Sequence, residues 1–148
     1  MSLKKEERLH HKKLVEELFK SGKSFYEYPL RVIWKAYSPQ QLNLAFSKEV
    51  PAGIGKLQML IAVPKKKRKK AVDRVLLRRR IREAYRLNRV LLKKGLESEN
   101  NIDTLSVAFI YQHTENCSYS TIEEKMKTAL ARLNKLFVNQ EADKNTEI

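Results

Sequence analysis

The chain has 148 residues, 42% of them apolar, with four glycines and four prolines, and a formal charge of +14. That length and apolar content suit one folded domain with a core of its own, and exclude a disordered, collagenous or low-complexity chain. The charge says little about fold but points to a polyanionic partner, nucleic acid or an anionic surface.

In chain order, Lys4 to Ser21 reads as an amphipathic helix, with Leu14, Val15, Leu18 and Phe19 at helical spacing and Gly22 as its stop. Ser24 to Tyr26 suits a short strand, and Leu30 to Tyr37 (LRVIWKAY) a longer one, rich in β-branched and aromatic residues. Ser38-Pro39 breaks it, and Leu42 to Phe46 reads as another strand or an extension after a turn. Pro51 to Gly55 (PAGIG) is a loop by composition. Leu57 to Val63 and Leu105 to Tyr111 are nearly continuous apolar runs, as expected of central strands, and between them lies a basic, helical segment. Ser118 to Phe137 closes the chain as a helix, with Ser118 or Ser120 able to cap it and Glu123 and Glu124 near its start. The domain is expected to span 1–138, and 139–148 to be a polar, frayed tail. The order is α-β-β-β-α-β-α, an α+β sandwich with helices covering a small sheet.

The charge is concentrated in one quarter of the chain. Lys65 to Leu96 holds 15 basic and 2 acidic residues, while Met1 to Pro64 nets +5 and Glu97 to the end nets −4. On a helix from Ala71 to Arg89, Leu77, Ile81 and Ala84 gather on one side, with Leu76 and Leu87 at its margin. Arg74, Arg78, Arg82 and Arg86 form an i, i+4 stripe elsewhere, joined by Arg79 and Arg89. An import signal has no reason to carry an apolar stripe of matching period. A solvated helix face mixes its signs, whereas here only Asp73 and Glu83 stand among seven arginines. The pattern fits a helix docked on a sheet with an arginine ridge facing a nucleic acid.

RNA suits the ridge better than DNA. No zinc finger, basic zipper or helix-turn-helix is present, and arginine forks grip phosphate and stack on unpaired bases. Phe19, Phe25, Tyr26, Tyr28 and Trp34 are candidate stacking platforms for a single strand, set against core packing as the ordinary role of such residues. The lone Cys117 cannot form an internal disulfide, and His10, His11 and His113 read as surface residues rather than metal ligands. The N-terminus lacks a secretory apolar run and no window approaches the roughly 20 apolar residues of a membrane span. A cytoplasmic chain with no membrane association is expected.

Three stretches resemble the bacterial ribonuclease P protein component over Lys4 to Leu136. They are RLHHKKLVEELFKSGKSF, the strand and loop IAVPKKKRKKAV, and the helix DRVLLRRRIREAYRLN. The last is similar to the family signature Arg-Asn-Arg, Lys-Arg, Arg-Glu-Ala-Tyr/Phe-Arg. Arg78, Arg79, Arg82, Glu83, Ala84, Tyr85 and Arg86 stand in register with it. The central Asn of the signature falls on Val75 and its second Arg on Leu76, while Pro64 replaces a Ser before the paired lysines.

The resemblance implies a fold related to a domain of ribosomal protein S5, with a left-handed crossover between the parallel strands that flank the basic helix. It implies an RNA-subunit contact through Lys65, Lys66, Arg74, Arg78, Arg79, Arg82 and Arg86. It also implies a cleft for the 5′ leader of precursor tRNA at Val15, Phe19 and Ile33 or Trp34. The expected function is that of the protein subunit of an endoribonuclease that removes 5′ leaders from precursor tRNA. Its partners would be the catalytic RNA subunit and precursor tRNA, with no obligate protein partner. Catalysis would rest on magnesium bound mainly by the RNA, with no catalytic or metal-binding residue on the protein, in keeping with a sequence that shows no carboxylate or His cluster for a two-metal site. The rival expectation is a non-catalytic RNA-binding module, such as a ribosomal or ribosome-assembly protein.

Overall fold

Four strands build one sheet in the order β1-β2-β4-β3 in the computed structural model, which describes residues 3–46, 49–99 and 101–137. The strands are β1 (Lys23–Glu27), β2 (Leu30–Tyr37), β3 (Leu57–Ala62) and β4 (Thr104–Tyr111), and the helices are α1 (Lys12–Ser21), α2 (Pro39–Ala45), α3 (Ala71–Asn88), α4 (Val90–Glu97) and α5 (Tyr119–Phe137). β2 pairs antiparallel with both β1 and β4, while β3 lies parallel to β4. Parallel neighbours need a crossover, and here α3 and α4 supply it. The tail expected at 139–148 lies outside the described residues.

Period-2 alternation divides the sheet between two cores. Leu30 and Val32, Leu57 and Met59, and Leu105, Val107, Phe109 and Tyr111 face α3, α4 and α5. Ile33, Tyr37, Ala108 and Ile110 face α1 and α2, where Leu14, Leu18, Leu42 and Ala45 meet them. All eight residues of β4 are buried, because both its edges are paired and both its faces covered.

β3 has the apolar sequence of a central strand yet lies at the sheet's edge. Its outer side is covered by the N-terminal segment. Arg8 forms a parallel bridge to Met59, the Leu9 N–H donates to the Met59 carbonyl at 2.9 Å, and Gln58 Nε2 donates to the Glu6 carbonyl at 3.2 Å. This edge pairing also splits the helix expected over Lys4 to Ser21 into a 3-10 turn at Lys5–Glu7 and α1. Arg8 and Leu9 must be extended to pair with β3, and tertiary pairing overrides helical propensity there.

Leu42 to Ala45, expected as part of a strand, belong to helix α2, and Phe46 follows as its extended C-cap. Ser38 is its N-cap, accepting from the Gln41 N–H at 3.2 Å while Gln41 Oε1 accepts from the Ser38 N–H at 2.9 Å, and Pro39 follows at the start of the helix. The dipeptide that ends β2 is thus also a helix start. Ser118 caps α5, accepting from the Thr121 N–H at 3.2 Å. Helix α4 has no counterpart among the sequence expectations; it turns away at Arg89 and buries Leu92 and Leu96 in the larger core.

Candidate nucleic-acid interface

Helix α3 meets the expected phase. Leu77, Ile81, Ala84 and Tyr85 are buried against the sheet and α5, and Val75 on the outer side is 57% exposed. Each fully buried Leu or Ile contributes about 1.5–3 kcal/mol, so the core side fixes which way the arginines point. Only some of them remain available. Arg78, Arg79 and Arg82 have no hydrogen-bond or ion-pair partner among the described residues, whereas the others are engaged.

Arg80 Nη1 donates to the Cys117 carbonyl at 2.5 Å, tying α3 to the start of α5. Arg86 pairs with Glu83 at 2.6 Å, one turn back on the same helix, and this hydrogen bond holds the Glu83 carboxyl below its ordinary range. Arg89 donates to Glu7 at 2.8 Å, and Lys93 of α4 reaches the same carboxylate at 3.1 Å. Burial alone would push Glu7 up, but hydrogen bonds from Arg89, the Lys4 N–H and Lys93 outweigh it and hold the carboxyl at about 2. Glu7 thus clamps the N-terminal segment onto α3 and α4. Nothing in its local sequence, KKEER, marks it as a buried residue.

The lysine run Lys65–Lys70 leaves the end of β3 as a folded loop. The N–H groups of Lys67 and Arg68 donate to the Pro64 carbonyl at 3.0 and 3.1 Å. Arg68 pairs with Asp73 at 2.9 Å and also donates to the Thr114 carbonyl. Lys65 and Lys66 are exposed beside this turn. Arg74, expected on the RNA face, has Nη1 donating to the Arg68 carbonyl at 3.0 Å and to the Lys69 carbonyl at 2.7 Å. The structure therefore places Lys65, Lys66, Arg78, Arg79 and Arg82 on one loop-helix unit as cations without a partner among the described residues, with Arg74 and Arg86 alongside but engaged.

The expected cleft residues are only partly brought together. Val15 and Ile33 pack in the smaller core beneath α1, and Phe19 stands 49% exposed on α1. Trp34 faces the other way, packed at right angles on Phe137 with ring centroids 4.8 Å apart. Strand alternation makes Ile33 and Trp34 exclusive, and it is Ile33 that shares a face with α1. Phe25 is likewise packed against the larger core, while Tyr26 and Tyr28 are exposed.

Strand register sets Tyr26, Arg31, Ile110 and Ala62 side by side across the sheet on the α1 face. The Arg31 guanidinium lies 5.7 Å from the Tyr26 ring centre. An open groove of about 790 Å³ lies where α1, α2 and the upper part of β2 meet, edged by Lys13, Lys20, Lys23 and Lys35. Among the described residues no three or more His, Cys, Asp or Glu are grouped to hold a metal ion, and no helix is long and apolar enough to cross a membrane.

The family model described as Ribonuclease P matches residues 3–134. A curated relative from Porphyromonas gingivalis strain W83, named ribonuclease P protein component, is 34% identical over 131 residues, covering 88% of this chain and 85% of the relative. The Staphylococcus aureus RNase P protein structure is similar in fold, with a TM-score of 0.57 at 18% identity, over 88% of this chain and 97% of that one. The RNase P protein from Thermotoga maritima superposes with a TM-score of 0.58 at 22% identity, over 85% and 96% of the two chains. With a matched family model across nearly all of the core and a relative above 30% identity over most of both lengths, this chain belongs to the ribonuclease P protein component family.

Proposed function

We propose that this chain is the protein subunit of ribonuclease P, that it binds the RNA subunit through α3 and the lysine loop, and that it holds the 5′ leader of precursor tRNA while the RNA performs the cleavage. The observation that carries the binding assignment is the unpartnered set Arg78, Arg79 and Arg82, beside the exposed Lys65 and Lys66, on a rigid helix and a folded loop. Cations left without carboxylates on such a scaffold repel one another, and a polyanion relieves that repulsion. The sheet face beside α1 supports the leader assignment. Tyr26 offers an exposed ring there and Arg31 a cation between Tyr26 and the apolar Ile110, while Phe19 stands exposed on α1 itself. Bases stack on such rings whatever their sequence, by about 1–3 kcal/mol each.

Membership of the family implies magnesium, read as bound mainly by the RNA subunit; among the described residues no three or more His, Cys, Asp or Glu are grouped to hold an ion. What the protein contributes is neutralisation of phosphates and a fixed track for the leader. Sequencing the RNA that copurifies with the tagged protein tests this reading. One dedicated RNA of a few hundred nucleotides is expected; ribosomal RNA alone would favour a ribosomal or assembly role.

A further inference from the structure

Six consecutive basic residues, Lys65–Lys70, repel one another, and a free loop of that composition spreads over many conformations. In this structure it does not, because four side chains fasten it. Arg68 Nη2 donates to Asp73 Oδ2 at 2.9 Å, and its Nη1 donates to the Thr114 carbonyl. Asn116 Nδ2 donates to the other oxygen of Asp73 at 3.0 Å. Arg74 Nη1 holds the carbonyls of Arg68 and Lys69. Asp73 is therefore the node at which the loop, the first turn of α3 and the β4–α5 connection meet. The Arg68 and Asp73 side chains are only 21% and 18% exposed, while Lys65, Lys66, Lys69 and Lys70 stay exposed around them.

We infer that Asp73 is a positioning residue for RNA binding: through Arg68 and Asn116 it presents the lysine run in one conformation before the RNA arrives. The inference rests on the RNA-binding reading above. It has a sign that ordinary electrostatics does not share. A carboxylate beside a polyanion site opposes binding by like-charge repulsion, so its removal on charge grounds alone tightens the complex. If Asp73 pre-orders the loop, its removal transfers the ordering cost of several lysines to the binding step, and the complex weakens.

The experiment has two arms on the full chain. In the first, limited trypsin digestion of the free protein is followed at the Lys65–Lys70 peptide bonds. Asp73→Ala is expected to be nicked there about tenfold faster than wild type, since nicking tracks the population of the opened loop. Equal rates overturn the inference. In the second, each protein is titrated into the ribonuclease P RNA transcribed from the same genome at fixed salt. Asp73→Ala is expected to bind about five- to tenfold more weakly, and Asp73→Glu, which keeps the carboxylate, to recover most of the loss. Equal or tighter binding by Asp73→Ala overturns the inference.

Asn116→Ala removes one hold without changing any charge and leaves the start of α3 intact, so it decides the matter should Asp73→Ala fold poorly. It is expected to shift both readouts in the same direction by about twofold, and no shift in either contradicts the inference. A wild-type protein that does not bind the RNA at all overturns the proposed function instead, and the trypsin arm still decides whether Asp73 orders the loop.

Discussion

Val75 stands on the outer face of α3 among the arginines, at the place where the family signature has an amide. Its 57% exposure means that a polar substitute loses little burial, so Val75→Asn is expected to change folding stability by no more than about 0.5 kcal/mol. An amide there can donate and accept toward phosphate, 2′-hydroxyl or base edges. RNA binding by Val75→Asn is expected to tighten by about 0.5–1.5 kcal/mol, read by paired thermal melts and RNA titrations.

Glu7 is the contrasting case, a residue whose charge is used inside the fold. Its carboxyl is held at about 2 against an ordinary 4.5, a depressed value. It therefore contributes stability that is fully present above pH 4.5 and is lost as pH falls towards 2. Glu7→Gln is expected to cost about 2 kcal/mol at neutral pH, and to flatten the acid limb of the stability curve in that window. A variant that matches wild type in urea melts at pH 7 and at pH 3 would show that the clamp on Arg89 and Lys93 carries no energy.

At the scale of elements, α3 is the part most legible in the sequence, because its apolar residues recur with the helical period and its charges do not mix. Leu77, Ile81 and Ala84 fall on the buried side as that period requires. What one helix projection cannot show is where a long side chain ends. Arg80 and Arg89 look like members of the ridge, yet each reaches a partner distant in sequence, at Cys117 and Glu7.

That division gives a test. If α3 and its loop neutralise about six phosphates, log K should fall against log salt with a slope of about −4 to −6. Arg78→Ala and Arg82→Ala should each flatten the slope by about one, and Arg80→Ala should leave it unchanged. A wild-type slope near −1 would mean that the ridge does not face RNA. The elements misread from sequence share one physical cause, contacts distant along the chain. The first helix is interrupted by pairing with β3, the edge position of β3 is hidden by that same pairing, and α4 exists because Leu92 and Leu96 find the core. Helix α2 is the exception, since its capping box at Ser38 and Gln41 was readable locally but stood behind a strand-breaking Pro39.

At the scale of the whole molecule, the two faces of the sheet lead to two different surfaces. The larger core locks α3 and α5 to one face of the sheet and sets the cationic ridge, while the other face packs on α1 and α2 and carries the exposed Tyr26 beside the half-buried Arg31. The fold class and the basic surface followed from composition and periodicity. Which of Ile33 and Trp34 shares a face with α1 was not legible, since it depends on strand parity relative to that helix, which packing alone reveals. In the proposed function this protein positions RNA and does not itself cut. The direct measurement is cleavage of precursor tRNA by the protein, by the RNA subunit and by the two together at low magnesium. Specific cleavage at the 5′ end is predicted for the mixture, with none from the protein alone; specific cleavage by rigorously RNA-free protein would contradict the account.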